Sequence, residues 1–429
     1  MPNPGDKVRI ITDEEKVEGI LMPRPDILDK DITVVKLDNG YNIGIDNKRI
    51  KKVELLEGYT KKKDKRARIK FNKSLPTVAI LSTGGTISSK VDYRTGGTHA
   101  NYTAEDFVDM YPELKDTANI KARKIMSVMT EDMTSKEWIA IAKEAEKELN
   151  GDANGVVITM GTDMLHFASA ALSFLLKGLN KPVIITAAQR SIDRGSSDAF
   201  MNLGCAVTAA AKFNAAEVVS CMHGTTNDDY CLLIRGTKIR KMHTSRRDAF
   251  RPVNEPPLAK VFSNGKIEIT NNDYKKKSDL KVKADKEFEE KVALVQVYPG
   301  MEPEIIDFYI NKGYKGIVVA ATALGHVPTS DPKYSLIPKL KKAIDKGVPV
   351  VIASQTLYGR VHPYVYTNLR KLSIELKCIF AEDMLPEVAY IKLGWVLAST
   401  KELAKVKEMM LTNYHGEINK RILPESFLY

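Results

Sequence analysis

The sequence predicts an α/β protein built from two α/β units with mostly parallel sheets, preceded by a small N-terminal β-barrel module. Three observations carry this expectation. Short apolar runs such as "TVAIL", "GVVITM", "PVIITA" and "EVVSCM" alternate with helical patterns such as "SKEWIAIAKEAEKEL" and "FASAALSFLL", the texture of a parallel sheet covered on both faces. The first 58 residues instead alternate apolar and polar positions in short runs. A charged, poorly apolar stretch over 271–291 separates the first strand–helix series from a second one.

In chain order, residues 1–58 contain "KVRIIT", "KVEGILM", "ITVVKLDNGYNIGI" and "RIKKVELL", with "DNG" at Asp38–Gly40 as a hairpin turn in which Asn-Gly takes the positive backbone angles of a two-residue loop. A core of so few residues is marginal alone, so the module is expected to lean on the rest of the chain. A basic linker follows over 59–73, then the first α/β domain over 74–270, whose end turns to shorter strands that suggest an antiparallel appendage. After the 271–291 linker, the second α/β domain with a helical tail occupies 292–429. Its strands are "VALVQVY", "GIVVAAT" and "PVVIAS", and its helices "EIIDFYINKG" and "SLIPKLKKAIDKG" stop on glycine.

Composition narrows the class. The 429 residues and ordinary apolar share fit a folded protein of about two or three domains. No basic stretch leads into an apolar core at the start, and no run of about 18 uncharged apolar residues occurs, so a cytoplasmic protein away from membranes is expected. The net charge of +11 permits a polyanionic partner such as RNA without requiring one. Much of it sits in "KKKDKRARIKFNK", Lys61–Lys73, which reads either as a solvated linker or as a contact for nucleic-acid phosphates. Cys205, Cys221, Cys231 and Cys378 lie in apolar surroundings without metal-ligand spacing and are expected to be buried free thiols.

Chemistry concentrates in loops at the carboxyl ends of strands, where an α/β sheet opens its ligand cleft. "STGGTIS" after the first strand offers Thr83 and Thr86, and "MTEDMTS" offers Thr130 and Glu131. "GTD" at Gly161–Asp163 offers Thr162 and Asp163, and "GTKIRKMHTSRRDAF" offers Lys241. A phosphate-cradling loop needs a lysine directly after its second glycine, and "GGTIS" has none. Acyl transfer asks for a hydroxyl nucleophile, a proton acceptor and backbone amides for an oxyanion; Thr86 and the glycine-rich turn supply the first and third. His243 is the only imidazole in these loops, so a lysine is the alternative base. In general a lysine serves when desolvation moves its pKa from ~10.4 towards ~7, a cost of roughly 4 to 5 kcal/mol. The plain structural alternative is that Thr162 or Asp163 caps the helix that follows.

The strings "STGGTIS", "ITMGTDML" and "NYTAEDF", at these spacings, resemble the bacterial-type L-asparaginase family, in which two threonines on separate loops act beside a lysine and an aspartate. The resemblance implies a two-domain asparaginase-like fold, Thr86 as nucleophile, and Thr162, Asp163 and Lys241 as the relay. It further implies Tyr102 of "NYT" on a lid closing over the nucleophile. Thr130 and Glu131, with Asp163, stand where the family holds the substrate's α-carboxylate and α-amine, although many relatives carry Ser and Gln there.

Over nearly the whole chain, the N-terminal β module, the length and the string "AEDMLPEVAYIKLGWVLAST" (381–400) resemble the archaeal GatD family of glutamyl-tRNA(Gln) amidotransferase subunits. This implies a glutamine amidase that releases ammonia for a partner transferase, GatE, which amidates glutamyl-tRNA(Gln). It also implies a homodimer of this chain inside a heterotetramer. No cofactor or metal is expected in this chain, while ATP and Mg are expected in the partner. A stand-alone cytoplasmic L-asparaginase is the second reading, and a non-catalytic RNA-binding scaffold the third. The same string also fits plain helix packing, with Pro386 at a helix start and Val388, Ile391 and Leu393 in a core.

Overall fold

The computed structural model describes residues 2–23, 31–60, 71–85, 87, 90–91, 98–99, 112–192 and 194–429. Strands β1 (Lys7–Ile11), β2 (Lys16–Leu21), β3 (Ile32–Lys36), β4 (Asn42–Asp46) and β5 (Lys52–Glu57) form an antiparallel sheet in the order β4-β3-β2-β1-β5. Alternation puts Val8, Ile10, Val17, Val35 and Ile45 on one face as its core. The β3–β4 turn is a three-residue loop: Leu37 N–H donates to the Tyr41 carbonyl, and Gly40 alone takes the left-handed conformation, at φ +85°. A two-residue turn would require Asn39 to share it. This hairpin tip rests on the first α/β domain, where the Tyr41 hydroxyl lies 2.7 Å from Ser196 Oγ. A Cβ at Gly195 would fall 2.5 Å from the Asn39 carbonyl oxygen, so only glycine permits that approach.

The first α/β domain is organised around β6 (Thr77–Ser82), buried at every position. To one side lies β7 (Asn119–Lys124), and to the other β8 (Gly155–Thr159), β9 (Val183–Thr186) and β10 (Val218–His223), all parallel. The sheet then continues antiparallel through β11 (Tyr230–Arg235) and past it, so the shorter strands extend the main sheet. Period-two alternation divides it into two faces. Ala79, Leu81, Val156, Ile158 and Ile185 pack with α1 (Ser135–Leu149) and α2 (Leu165–Leu175), while Val78, Ile80, Val157 and Ile184 pack with α3 (Ala199–Lys212). A capping box starts α1: Thr134 N–H donates to the Glu137 carboxylate at 2.7 Å while the Thr134 side chain caps the first turn.

A hairpin of β12 (Ile239–Lys241) and β13 (Phe250–Pro252) leaves the sheet beside α2. The following β14 (Ala259–Phe262) and β15 (Ile267–Ile269) complete the antiparallel edge. The stretch after it is charged yet anchored: Val282 N–H donates to Asn150 Oδ1, and Lys283–Ala284 pairs with Leu176–Lys177.

The second domain holds four parallel strands in sequence order, β16 (Val292–Gln296), β17 (Gly316–Ala321), β18 (Val350–Ser354) and β19 (Ile379–Phe380). Helices α4 (Glu304–Asn311) and α5 (Ile337–Asp345) cover one face, with Ile317, Val319 and Ile352 beneath. Helix α6 (Pro386–Ser399) covers the other and also meets α2, so it lies between the two domains and is apolar nearly all round. Pro386 takes its first turn, where the missing N–H costs nothing. A last helix, α7 (Leu403–Leu411), docks Val406 and Met410 into the same core.

All four cysteines are buried and free, and burial pushes the Cys378 thiol up to about 12. Among the described residues no helix is long and apolar enough to cross a membrane.

Candidate active site

The site is assembled where β6, β8 and β12 end. Past β6, the Thr83 N–H and hydroxyl both donate to the Thr159 carbonyl, at 2.9 and 3.1 Å, tying the first loop to the strand beside it. Gly84 and Gly85 follow with φ of +110° and +82°. A Cβ on Gly85 would lie 2.5 Å from the Met160 carbonyl carbon and 2.6 Å from Gly161 N. The two loops are thus in direct backbone contact at a point where only glycine fits. Ile87, two residues on, is fully buried in the apolar core, so the chain is anchored on both sides of position 86. Thr86 and Tyr102 themselves lie outside the described residues.

Lys241 ends β12 and is paired across its hairpin with Phe250. Its side chain, 10% exposed, donates from Nζ to Thr162 Oγ1 at 2.9 Å and to Asp163 Oδ1 at 2.6 Å. The Thr162 hydroxyl lies 3.3 Å from the same carboxylate oxygen. That hydrogen bond from Lys241, opposed by partial burial, holds the Asp163 carboxyl below the usual carboxylate range. Neither Thr162 nor Asp163 caps α2, whose N-terminus at Met164 has no side-chain cap among the described residues. Their polar groups are committed to the lysine instead.

Thr130 is buried against this cluster: its hydroxyl accepts from Met164 N–H at 3.2 Å, and a Cβ on Gly161 would sit 3.2 Å from it. Glu131 is exposed and, with Thr130, Trp138, Met164 and Tyr390, lines a cavity of about 320 Å³. His243 stands apart from the relay, since its Nδ1 accepts from the backbone of Ser245 and Arg246 and shapes the hairpin turn.

A larger cavity, about 690 Å³, opens beside Lys241 and Asp163 and is also lined by His166, Arg240, Gln296 and Glu387. These four were not singled out from sequence. His166 follows Asp163 by three residues, placing it near one helical turn further on, but an isolated histidine in an apolar helix is ordinarily core. Its Nδ1 has no hydrogen-bond partner among the described residues, and burial, helped by Arg240 and Lys241, pushes its pKa down to about 3, so the imidazole is neutral. Arg240 pairs with Glu387 at 2.7 Å across the domain boundary. Among the described residues no three His, Cys, Asp or Glu side chains converge in a metal-binding group.

Comparison with known proteins places this geometry in a family. Residues 77–275 match the model for the asparaginase N-terminal domain, 291–410 that for the glutaminase/asparaginase C-terminal domain, and 2–56 that for the GatD N-terminal domain. The chain is 52% identical to the GatD protein of glutamyl-tRNA(Gln) amidotransferase from Pyrococcus furiosus, over 99% of this chain and 97% of that one. It is 44% identical to the protein of that name from Methanothermobacter thermautotrophicus, over 97% and 94%. Among solved structures it resembles the thermostable L-asparaginase from Thermococcus kodakarensis with a TM-score of 0.71 and 28% identity, covering 80% of this chain and all of that one. The asparaginase-like domains, the N-terminal module and the full-length identity agree: the chain belongs to the GatD family of glutamyl-tRNA(Gln) amidotransferase subunits.

Proposed function

We propose that this chain is the glutamine amidase of a tRNA-dependent amidotransferase that converts glutamyl-tRNA(Gln) to glutaminyl-tRNA(Gln). The observation that carries this reading is the contact of Lys241 with Thr162 and Asp163, in a chain similar to GatD proteins along its whole length. In this mechanism the Thr86 hydroxyl attacks the side-chain amide carbon of glutamine, and its proton passes through Thr162 to Lys241 as proton acceptor. The amide C–N bond breaks, the nitrogen takes that proton back from Lys241 through Thr162 and leaves as ammonia, and a γ-glutamyl ester remains on Thr86. Water then attacks the ester, releasing glutamate and restoring the hydroxyl. Asp163 orients the lysine and receives the substrate amine, Thr130 and Glu131 complete amino-acid recognition, and Tyr102 rides on a lid over the nucleophile.

The chain acts within an amidotransferase complex. Its partner is GatE, which carries ATP and Mg and receives the ammonia; two copies of this chain form a homodimer inside the heterotetramer, and this chain needs no cofactor. It works in the cytoplasm. The test is ammonia release from glutamine and asparagine, with and without the partner and charged tRNA. Thr86→Ala and Lys241→Leu should abolish release, and the wild type should accelerate when partner and tRNA are present. Wild-type rates in both variants would end the assignment.

The second reading, a stand-alone L-asparaginase, is favoured by the 80% of the chain that superposes on an L-asparaginase structure. It requires full-speed release from asparagine by the isolated chain.

A further inference from the structure

The string "EDMLPE" (382–387) leads into α6 in the second domain, yet two of its carboxylates reach into the first. Asp383 Oδ2 accepts from Lys238 Nζ at 2.7 Å, with the side chains 0% and 1% exposed. Glu387 Oε2 meets Arg240 Nη1 at 2.7 Å, with the glutamate 1% exposed. The two cations are Lys238, directly before β12, and Arg240 within it, and the two anions are four residues apart at the start of α6. A strand puts alternate residues on one face. Lys238 and Arg240 therefore point to the second domain, while Ile239 enters the core and Lys241 points back to Thr162 and Asp163.

We infer that Asp383 and Glu387 are positioning residues for Lys241: the two ion pairs strap β12 to α6 and fix the lysine's reach to Thr162. Both pairs are more than ordinary surface bridges. Asp383 also accepts from Asn419 N–H and Nδ2 at 2.9 Å, and its backbone carbonyl from Asn254, so the strap's anchor is itself held at several points. Among the described residues Glu387 has no other partner for its second oxygen, Oε1, so Arg240 is the cation that keeps this carboxylate in place. A buried ion pair contributes little net stability, yet removing one partner strands the other charge, so each pair holds its two elements together. A hydrogen bond of 2.9 Å at the far side of a three-residue strand has little slack, and proton relays lose rate steeply with small displacements.

This rests on Lys241 taking part in the reaction, so the experiment keeps the two ideas separable. In the full complex, ammonia release from glutamine is measured for Glu387→Gln, Asp383→Asn, Arg240→Met and Lys241→Leu. A further variant, Asp285→Ala, loosens α6 at its other end by removing the Trp395 contact. The strap variants should lose about tenfold or more in kcat with KM within about twofold, the signature of misplaced reacting groups with substrate contacts intact. The pair Arg240→Met and Glu387→Gln should be no worse together than apart, because each removes the same contact. Asp285→Ala should keep its kcat. Folded strap variants with wild-type kcat, beside an inactive Lys241→Leu, would overturn the inference alone. An equal kcat loss in Asp285→Ala would also overturn it, since any loosening of α6 would then suffice. An active Lys241→Leu would remove the relay on which it stands. Should Asp383→Asn fail to fold, the partly exposed Arg240 gives the decisive variant.

Discussion

Replacing Gly85 by alanine probes the contact on which the two threonine loops depend. The added methyl would lie 2.5 Å from the Met160 carbonyl carbon and oxygen, and ordinary contact begins near 3.4 Å. Both obstacles are backbone, so no side chain can swing away, and one loop must move by about 1 Å relative to the other. The φ of +82° adds left-handed strain of ~1–2 kcal/mol, and overpacking adds ~1–3 kcal/mol, for a loss of ~2–5 kcal/mol. A displacement of about 1 Å between reacting groups costs roughly 10²-fold in rate. Gly84→Ala is the internal control: φ is +110°, but the nearest atom to its Cβ is 3.6 Å away, so it keeps the strain and lacks the clash. The assay pairs the thermal midpoint with ammonia release by the assembled complex. The expected result is a fall of about 100-fold in kcat for Gly85→Ala and a much smaller one for Gly84→Ala. Equal losses in the two variants would mean that backbone strain alone, and not the clash with Met160, sets the loss.

Further outcomes follow from the charged groups. His166, pushed down to about 3 in the fold against ~6.5 unfolded, takes its proton first in the unfolded chain. Its stabilising contribution is therefore full above about pH 6.5 and is lost as pH falls towards 3, up to ~5 kcal/mol in all; His166→Leu should flatten the midpoint-versus-pH curve over that window. Arg235 bridges Glu217 at 2.6 Å and Glu255 at 2.9 Å, and burial already pushes both carboxyls up. Arg235→Met should therefore lower stability by ~3–5 kcal/mol, partly recovered when both glutamates become glutamine, as read by denaturation. Asp163 owes its depressed pKa first to Lys241, so in Lys241→Leu its carboxyl should titrate at higher pH by carboxyl NMR; an unmoved titration would mean the contact is not made in solution.

Much of this molecule is legible in its sequence, for reasons that individual elements make plain. Continuous apolar runs such as "TVAIL" belong to strands covered on both faces, and Val78 and Ala79 do turn to opposite cores. The loops after β6 and β8 announce themselves through glycines beside hydroxyls, and the close approach of Gly85 to Met160 gives the physical cause. What the sequence hides is long-range pairing. Nothing local marks Lys238 and Arg240 as partners of residues more than 140 positions away, and α6 reads as plain packing because most of its side chains are indeed core. His166 is similarly silent, since one histidine among apolar neighbours carries no pattern. The Asn39 turn differs from expectation because Asn-Gly serves both two- and three-residue loops, and only the pairing register decides between them.

In the proposed reaction Thr86 carries the acyl group and Lys241, through Thr162, receives its proton. The most direct measurement is rapid acid quenching of the complex turning over isotope-labelled glutamine, followed by peptide mass spectrometry. A γ-glutamyl ester is expected on Thr86 in the wild type and none in Lys241→Leu. Label on a different residue, or undiminished ester in Lys241→Leu, would contradict it.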